Sequence, residues 1–324
     1  MSEVFEVVLL NALPASGKSE VRNFMMQMDG ETLIKDFHIG ENLQLDDFPY
    51  VHFMRRIDQE LVNLGQERMF YISDEDPFID GRDWATLINM LNEDYHDLLN
   101  RTKIEVESVA QYTFDRLDRA GQVVGIKPRL ALLNKEVREK LALVLEKDAQ
   151  EVLDTKVSQY RDSYENMTIV IESARGGKDG SSMPLEGTEG YQYYYRFFAP
   201  DLLEKAAILY IWVSPEESRR KNAARFNPDD PGSNLFHGTP LAVMMNDYGC
   251  DDMQYLIENS EKENTITVKT YDKTYYLPIG VFDNRVDKTT FMREDKENWD
   301  PELVTEVTAM IKQATDNMWK NYNK

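Results

Sequence analysis

The stretch FEVVLLNALPASGKSEVRNFMMQM, residues 5–28, constrains the fold of this chain more than any other. Phe5–Leu10 is a short, mostly apolar run of the length of a buried strand. From Ser19 onward, Val21, Phe24, Met25 and Met28 recur at helical spacing. Only small residues and a proline separate the two patterns. A strand that turns so tightly into a helix belongs to a layered α/β architecture.

The connection reads Ala12-Leu13-Pro14-Ala15-Ser16-Gly17-Lys18-Ser19. This is the pattern G-x-x-x-x-G-K-[ST] with Ala12 in the place of its first glycine. The spacing has a chemical reason. Backbone N–H groups of residues 15–19 can curl inward as a nest for an anion, and the helix start adds partial positive charge. Gly17 allows close backbone approach, the Lys18 ammonium reaches the β- and γ-phosphates, and the Ser19 hydroxyl suits Mg²⁺. Leu13, Pro14, Ala15, Ser16, Gly17, Lys18 and Ser19 are thus candidate contacts for a nucleoside triphosphate. The first glycine serves mainly the turn out of the strand, where alanine is the smallest substitute.

Composition narrows the partners. The 324 residues are 42% hydrophobic, enough for one large domain or a domain with a sizeable insertion. Lys and Arg total 37 against 58 Asp and Glu, a net charge of −21. Such a surface repels nucleic-acid backbones and anionic lipid, which argues against general nucleic-acid or membrane binding. Cys250 is the sole cysteine, so neither an internal disulfide nor a cysteine zinc site is available. Glu3 and Glu6, with no Lys or Arg, precede a short apolar stretch, unlike a secretory leader. The expectation is a cytoplasmic protein.

With LPASGKS in this setting, the chain resembles the P-loop kinase superfamily, whose loop commonly reads G-x-P-[AG]-S-G-K-S. The likeness covers about the first 35 residues. It implies a mainly parallel P-loop NTPase sheet flanked by helices, a single α/β domain over residues 1–324. It also implies Mg²⁺ and ATP as cofactors. TLIKDF (32–37) reads as a second strand ending at Asp36, where such kinases place an acid facing the acceptor hydroxyl; a capping role for Asp36 stays open. TIVIESA (168–174) reads as a buried strand ending in Glu172. There, P-loop proteins hold Mg²⁺ through water or polarise the attacking group; for Glu172, too, a role capping the next turn stays open.

Further along, ENLQLDDFPYVHFMRRIDQELVNLGQ (41–66) reads as a loop and a helix with Val51, Met54, Ile57, Leu61 and Leu64 on one face. MFYIS (69–73) reads as another strand. Residues 80–166 are almost wholly helical, and form either a lid or an arm for a protein partner or a second copy. Arg175-Gly176-Gly177-Lys178-Asp179-Gly180 lacks the required Ser/Thr of a second phosphate loop and reads as a mobile glycine-rich loop. YQYYYRFF (191–198) suits core packing better than base stacking.

ILYIWV (208–213) is a clear strand, and Ser214-Pro215-Glu216-Glu217 carries the signals of a helix start. That helix holds Arg219, Arg220, Lys221 and Arg225 and resembles the lid entry of nucleotide kinases. The resemblance makes Arg220 a nucleotide contact and Arg225 a clamp on the transferring phosphoryl; pairing of some of these cations with Glu216 and Glu217 instead stays open. NPDDPGSNLFHGTP (227–240) reads as a loop able to close over substrate. ITVKTY and YYLPIGVFDN (266–284) read as paired strands, and Asn284 falls where such kinases contact adenine. Trp299-Asp300-Pro301 opens a last amphipathic helix.

The expected function is Mg·ATP-dependent phosphoryl transfer to a small-molecule acceptor, with Lys18, Asp36, Glu172 and Arg225 catalytic and Ser19 with Glu172 on the metal. The alternative is a nucleotide-dependent switch whose helical arm binds a partner.

Overall fold

Val7–Asn11 is buried at every position and forms the central strand β1. A computed structural model describes residues 3–225 and 238–322. After β1 come α1 (Lys18–Met26), α2 (Gly30–Phe37), β2 (Glu41–Asp46), α3 (Phe48–Asn63), α4 (Asp83–Asn100), α5 (Val109–Val123) and α6 (Lys135–Val157). Then follow β3 (Met167–Ser173), α7 (Gly190–Tyr195), α8 (Pro200–Leu203), β4 (Ala206–Trp212) and α9 (Pro215–Arg225). The chain closes with α10 (Leu241–Asn246), α11 (Met253–Glu258), β5 (Thr265–Thr270), β6 (Lys273–Asp283) and α12 (Pro301–Tyr322).

The strands make one 6-stranded sheet in the order β2-β3-β1-β4-β6-β5. β1 is parallel to β3 and β4, β4 is parallel to β6, and the edge strand β5 is antiparallel to β6. Gly40 N–H bonds Thr168 Oγ1 and the Gln44 amide reaches Glu172, so β2 climbs beside β3 in the same direction. Tyr271 and Asp272 both have positive φ, as a two-residue hairpin turn between β5 and β6 requires. The sheet is therefore mainly parallel and flanked by helices, as expected.

Side chains alternate across each strand. Val8 and Leu10 of β1, Val170 of β3, and Leu209 and Ile211 of β4 join Val21, Phe24, Leu33, Phe37, Val307 and Ile311 in a core beneath α1, α2 and α12. Trp299 stacks on Phe24 at 5.4 Å and seats the start of α12. The opposite face carries Asn11 and the aromatic helix α7, whose Tyr191, Tyr194 and Tyr195 are buried. Core packing accounts for that aromatic run.

Two compact units emerge. One comprises Met1–Gln44, Glu165–Arg196 and Pro200–Lys324 and carries the sheet apart from the last residues of β2. The other, Leu45–Tyr164 with Phe197–Ala199, is helical. It begins well before residue 80, because the apolar face of α3 does not serve the sheet. Tyr50, Phe53, Met54, Ile57 and Leu61 pack instead with Phe114, Leu117, Leu141 and Leu145. A buried charge cluster lies in the same unit. Arg116 bonds Asp94 at 2.6 Å and Lys156 bonds it at 2.9 Å, with Tyr50 OH donating to the same carboxylate at 2.6 Å.

Residues 41–46, read as a loop, form β2 instead, and three further expectations fail for local reasons. TLIKDF is not a strand but the body of α2, where Asp29 caps Thr32 N–H and Leu33 and Phe37 point to the core. MFYIS makes only an isolated bridge, Tyr71 to Phe78, because the Asp58 carboxylate takes the N–H groups of Met69, Phe70 and Tyr71. The glycine-rich segment after Arg175 is packed rather than loose. Gly177 exchanges backbone hydrogen bonds with Gly249 and Cys250, and a Cβ on Gly176 would meet the Cys250 carbonyl at 2.3 Å.

Candidate phosphate-binding site

The loop leaves the C-terminal end of β1, the end at which ligands bind in open parallel sheets. Ala15 and Gly17 both take the left-handed conformation, with φ of 55° and 98°. Alternation of right- and left-handed residues curls successive N–H groups into a concavity. Gly17 stands at the N-cap of α1, and no side chain caps that helix. A helix N-terminus offers N–H groups and partial positive charge to an anion.

What aims the loop is a bracket of buried side chains on its outer side. Ser218 Oγ of α9 donates to the Pro14 carbonyl at 2.7 Å, and Asn284 Nδ2, just past β6, donates to the Ser16 carbonyl at 2.7 Å. In a trans peptide the next N–H points opposite to the carbonyl. The N–H groups of Ala15 and Gly17 are therefore turned away from these donors. Thr289 backs Gly17 so closely that a Cβ there would meet its Oγ1 at 2.5 Å. Asn284 also donates to Thr289 Oγ1 at 3.0 Å, and the buried Lys221 ammonium joins Asp287 at 2.8 Å. Burial alone would raise the Asp287 carboxyl, but Lys221 and the Thr289 and Thr290 groups hold it well below the usual carboxylate range.

Ser16 Oγ is buried without a hydrogen-bond partner among the described residues. Buried hydroxyls are rarely left so. With the turned N–H groups and the uncapped helix, it makes the cradle fit a phosphate. Lys18 Nζ donates to the Ser173 carbonyl at the end of β3, at 2.8 Å, and Ser19 is half-buried beside it.

Glu172 faces Leu10 across the β1–β3 register and is nearly fully buried. Arg22 Nε of α1 pairs with its Oε1 at 3.0 Å, and Gln44 donates to the same oxygen at 3.3 Å. Both contacts engage Oε1, and a metal met through water leaves the pair intact. Among the described residues no cluster of His, Cys, Asp or Glu forms a metal cage. The residues fit a divalent ion only as phosphates would carry it, with Ser19 as protein ligand.

Other expected site residues fall elsewhere. Asp36 lies on α2, not at a strand end. Its carbonyl accepts from Lys312, and the next turn, His38, receives Phe5 N–H. That is the start of β1, opposite the loop, so Asp36 does not share a rim with Lys18 and Glu172. Asn284 is fully buried and engaged with the loop backbone and Thr289, which makes it a brace rather than an adenine contact. Arg220 is exposed and fixed by Glu217 at 2.7 Å. Arg225 ends α9, and its side chain lies outside the described residues. Residues 226–237, most of the expected closing loop, lie outside them too.

A cleft of about 240 Å³ opens between α7, α11 and β5, lined among others by Gln192, Arg196, Tyr255 and Lys269. No residue of the loop lines it. Chemistry outweighs concavity here: the loop combines turned N–H groups, a helix start without a side-chain cap and a lysine. Thr289 and Ser218 were not singled out in the sequence, where nothing marks a lone hydroxyl so distant from the loop. No helix among the described residues is long and apolar enough to cross a membrane. No protein-family model matches the chain, and no curated protein is similar to it in sequence.

Proposed function

We propose that this protein is a P-loop kinase-like phosphotransferase that binds Mg·ATP in the loop 13–19 and acts on a small acceptor. The observation that carries this is the bracket. Ser218 and Asn284 pull the Pro14 and Ser16 carbonyls outward, which leaves inward N–H groups, an unpartnered Ser16 hydroxyl and Lys18 around one cradle. The strand order β2-β3-β1-β4-β6, with the loop after the central strand, supports the same reading.

In this reading the Ala15, Ser16 and Gly17 amides and the α1 N-terminus fix the phosphates. Lys18 exchanges the Ser173 carbonyl for the terminal phosphates, and Ser19 orients the metal. Mg²⁺, when bound, offsets charge on the β- and γ-phosphate oxygens. Glu172, steadied by Arg22, orders water beside the metal. Fixed donors and cations of this kind carry most of phosphoryl-transfer catalysis. We assign no base to the acceptor, since Asp36 lies at the wrong end of β1.

Calorimetry with Mg²⁺ and ATP or GTP, on wild type and Lys18→Ala, tests the proposal. A charge-assisted hydrogen bond contributes about 1.5–3 kcal/mol, so Lys18→Ala weakens triphosphate binding by roughly 10- to 100-fold. Equal affinities in both proteins would refute the role of the loop. ATP turnover that depends on an added metabolite marks a kinase. Slow turnover indifferent to any metabolite marks a nucleotide-dependent switch instead.

A further inference from the structure

A hydrogen-bonded chain lies on the α7 side of the sheet, beneath the lysine. Asn11 ends β1 and is completely buried. An amide at this place in an apolar strand must be fully paired to be tolerated. Tyr195 OH donates to Asn11 Oδ1 at 2.8 Å, Asn11 Nδ2 donates to Ser173 Oγ at 2.7 Å, and Ser173 Oγ donates to Tyr194 OH at 2.6 Å. Every donor points the same way, the arrangement in which such bonds reinforce one another. Ser173 is also the residue whose carbonyl receives Lys18 Nζ. The Ser173 side chain and backbone thus join the tyrosines of α7 to the ammonium of the loop.

We infer that Asn11 and Tyr195 are positioning residues for Lys18. By fixing Ser173, they set the place from which the ammonium is delivered to phosphate. Their contribution to nucleotide affinity is therefore made through Lys18. The inference rests on the proposed phosphate role of the loop for its functional consequence, but the link between Asn11 and the lysine does not.

The test is a double-mutant cycle on Mg·ATP affinity with wild type, Asn11→Leu, Lys18→Ala and the double variant. Tyr195→Phe serves as a milder second lesion at the other end. Coupled side chains interact by about 0.5–3 kcal/mol, so Asn11→Leu is expected to weaken binding about tenfold in wild type. In the Lys18→Ala background it should do nothing further. Tyr195→Phe should follow the same pattern with a smaller loss. Additive losses would mean that Asn11 supports the fold generally, and would overturn the inference.

A second readout does not need nucleotide. The rate at which trinitrobenzenesulfonate modifies Lys18 in ligand-free protein, followed by peptide mass spectrometry, should change several-fold in Asn11→Leu and Tyr195→Phe. Lysines remote from the loop, such as Lys273, supply the control. If wild type binds no nucleotide yet Lys18 reactivity changes, the functional proposal fails and the positioning stands. Unchanged Lys18 reactivity in both variants overturns the positioning itself.

Discussion

Two buried polar clusters in this molecule use the same kinds of residue for opposite ends. In the helical unit, Asp94 is enclosed by Arg116, Lys156 and Tyr50, and charge closes on charge. Behind the loop, Asn284 and Ser218 donate to the Ser16 and Pro14 carbonyls, while Thr289, itself bonded by Asn284, fills the space against Gly17. The first cluster is satisfied within itself and holds helices together. The second satisfies one side of a backbone segment and so turns the other side toward a ligand. Burial of polar groups alone does not mark a site; the direction in which the remaining donors face does.

The largest expected effect breaks the closed cluster. Burial pushes the Asp94 carboxyl up, yet Arg116 and Lys156 outweigh it and hold the carboxyl below its ordinary range. Removing one partner from a buried ion pair costs about 3–5 kcal/mol, because the remaining charge stays desolvated. Arg116→Leu should therefore speed amide exchange along α4 and α5 by that margin and leave Mg·ATP affinity unchanged. For a depressed carboxyl, the stability contribution is present above its unfolded pKa and disappears as pH falls through the folded one. The gap between variant and wild type should accordingly narrow in acid. A large loss of nucleotide binding in this variant would erase the distinction between the clusters.

Asp251 belongs to neither kind. It is half-buried just before α11, accepts from Tyr210 OH at 2.9 Å and from Met253 N–H at 3.0 Å, and desolvation pushes its carboxyl up to about 6. A carboxyl raised in the fold favours the folded state below its unfolded pKa, and this contribution is lost as pH rises through about 6. The distance from an ordinary value near 3.8 corresponds to a penalty on the order of 3 kcal/mol at pH 8. Asn keeps an acceptor for Tyr210 without the charge. Asp251→Asn should raise the melting temperature at pH 8 and change it little at pH 4, as calorimetric scans at both values would show. A gain of equal size at both pH values would assign the effect to packing.

How much of this was legible in the chain follows from distance along it. The strand, loop and helix at residues 5–28 are contiguous, so spacing alone exposed them, as it did β3, β4 and the β5–β6 hairpin. TLIKDF misled because its β-branched and apolar residues suit a strand, while the deciding feature was the Asp29 cap three residues before Thr32. Asp58 hid the fate of MFYIS in the same way, through a side chain acting on backbone eleven to thirteen residues away. The bracket was beyond reach altogether. Ser218 meets Pro14 across 204 residues and Asn284 meets Ser16 across 268, and no periodicity links positions so far apart. Asn11 did leave a trace, as the one polar residue between the apolar run and the loop.

The smallest predicted effect sharpens the comparison most, because it removes a single hydroxyl from the bracket. Ser218 is fully buried and its Oγ reaches only as far as the Pro14 carbonyl in the contacts of α9 with the loop. Ser218→Ala keeps helix propensity and volume nearly intact. A neutral hydrogen bond contributes about 0.5–1.5 kcal/mol net, so triphosphate affinity should fall by roughly two- to tenfold. The loss should appear for inorganic phosphate and for ATP alike, since the peptide between Pro14 and Ala15 is what the bond aims. In the Arg116 cluster a lesion of similar size would register as stability and not as affinity. An unaltered phosphate affinity in Ser218→Ala, with a lowered melting temperature, would make the bracket another closed cluster and leave the cradle to Asn284 and Gly17 alone.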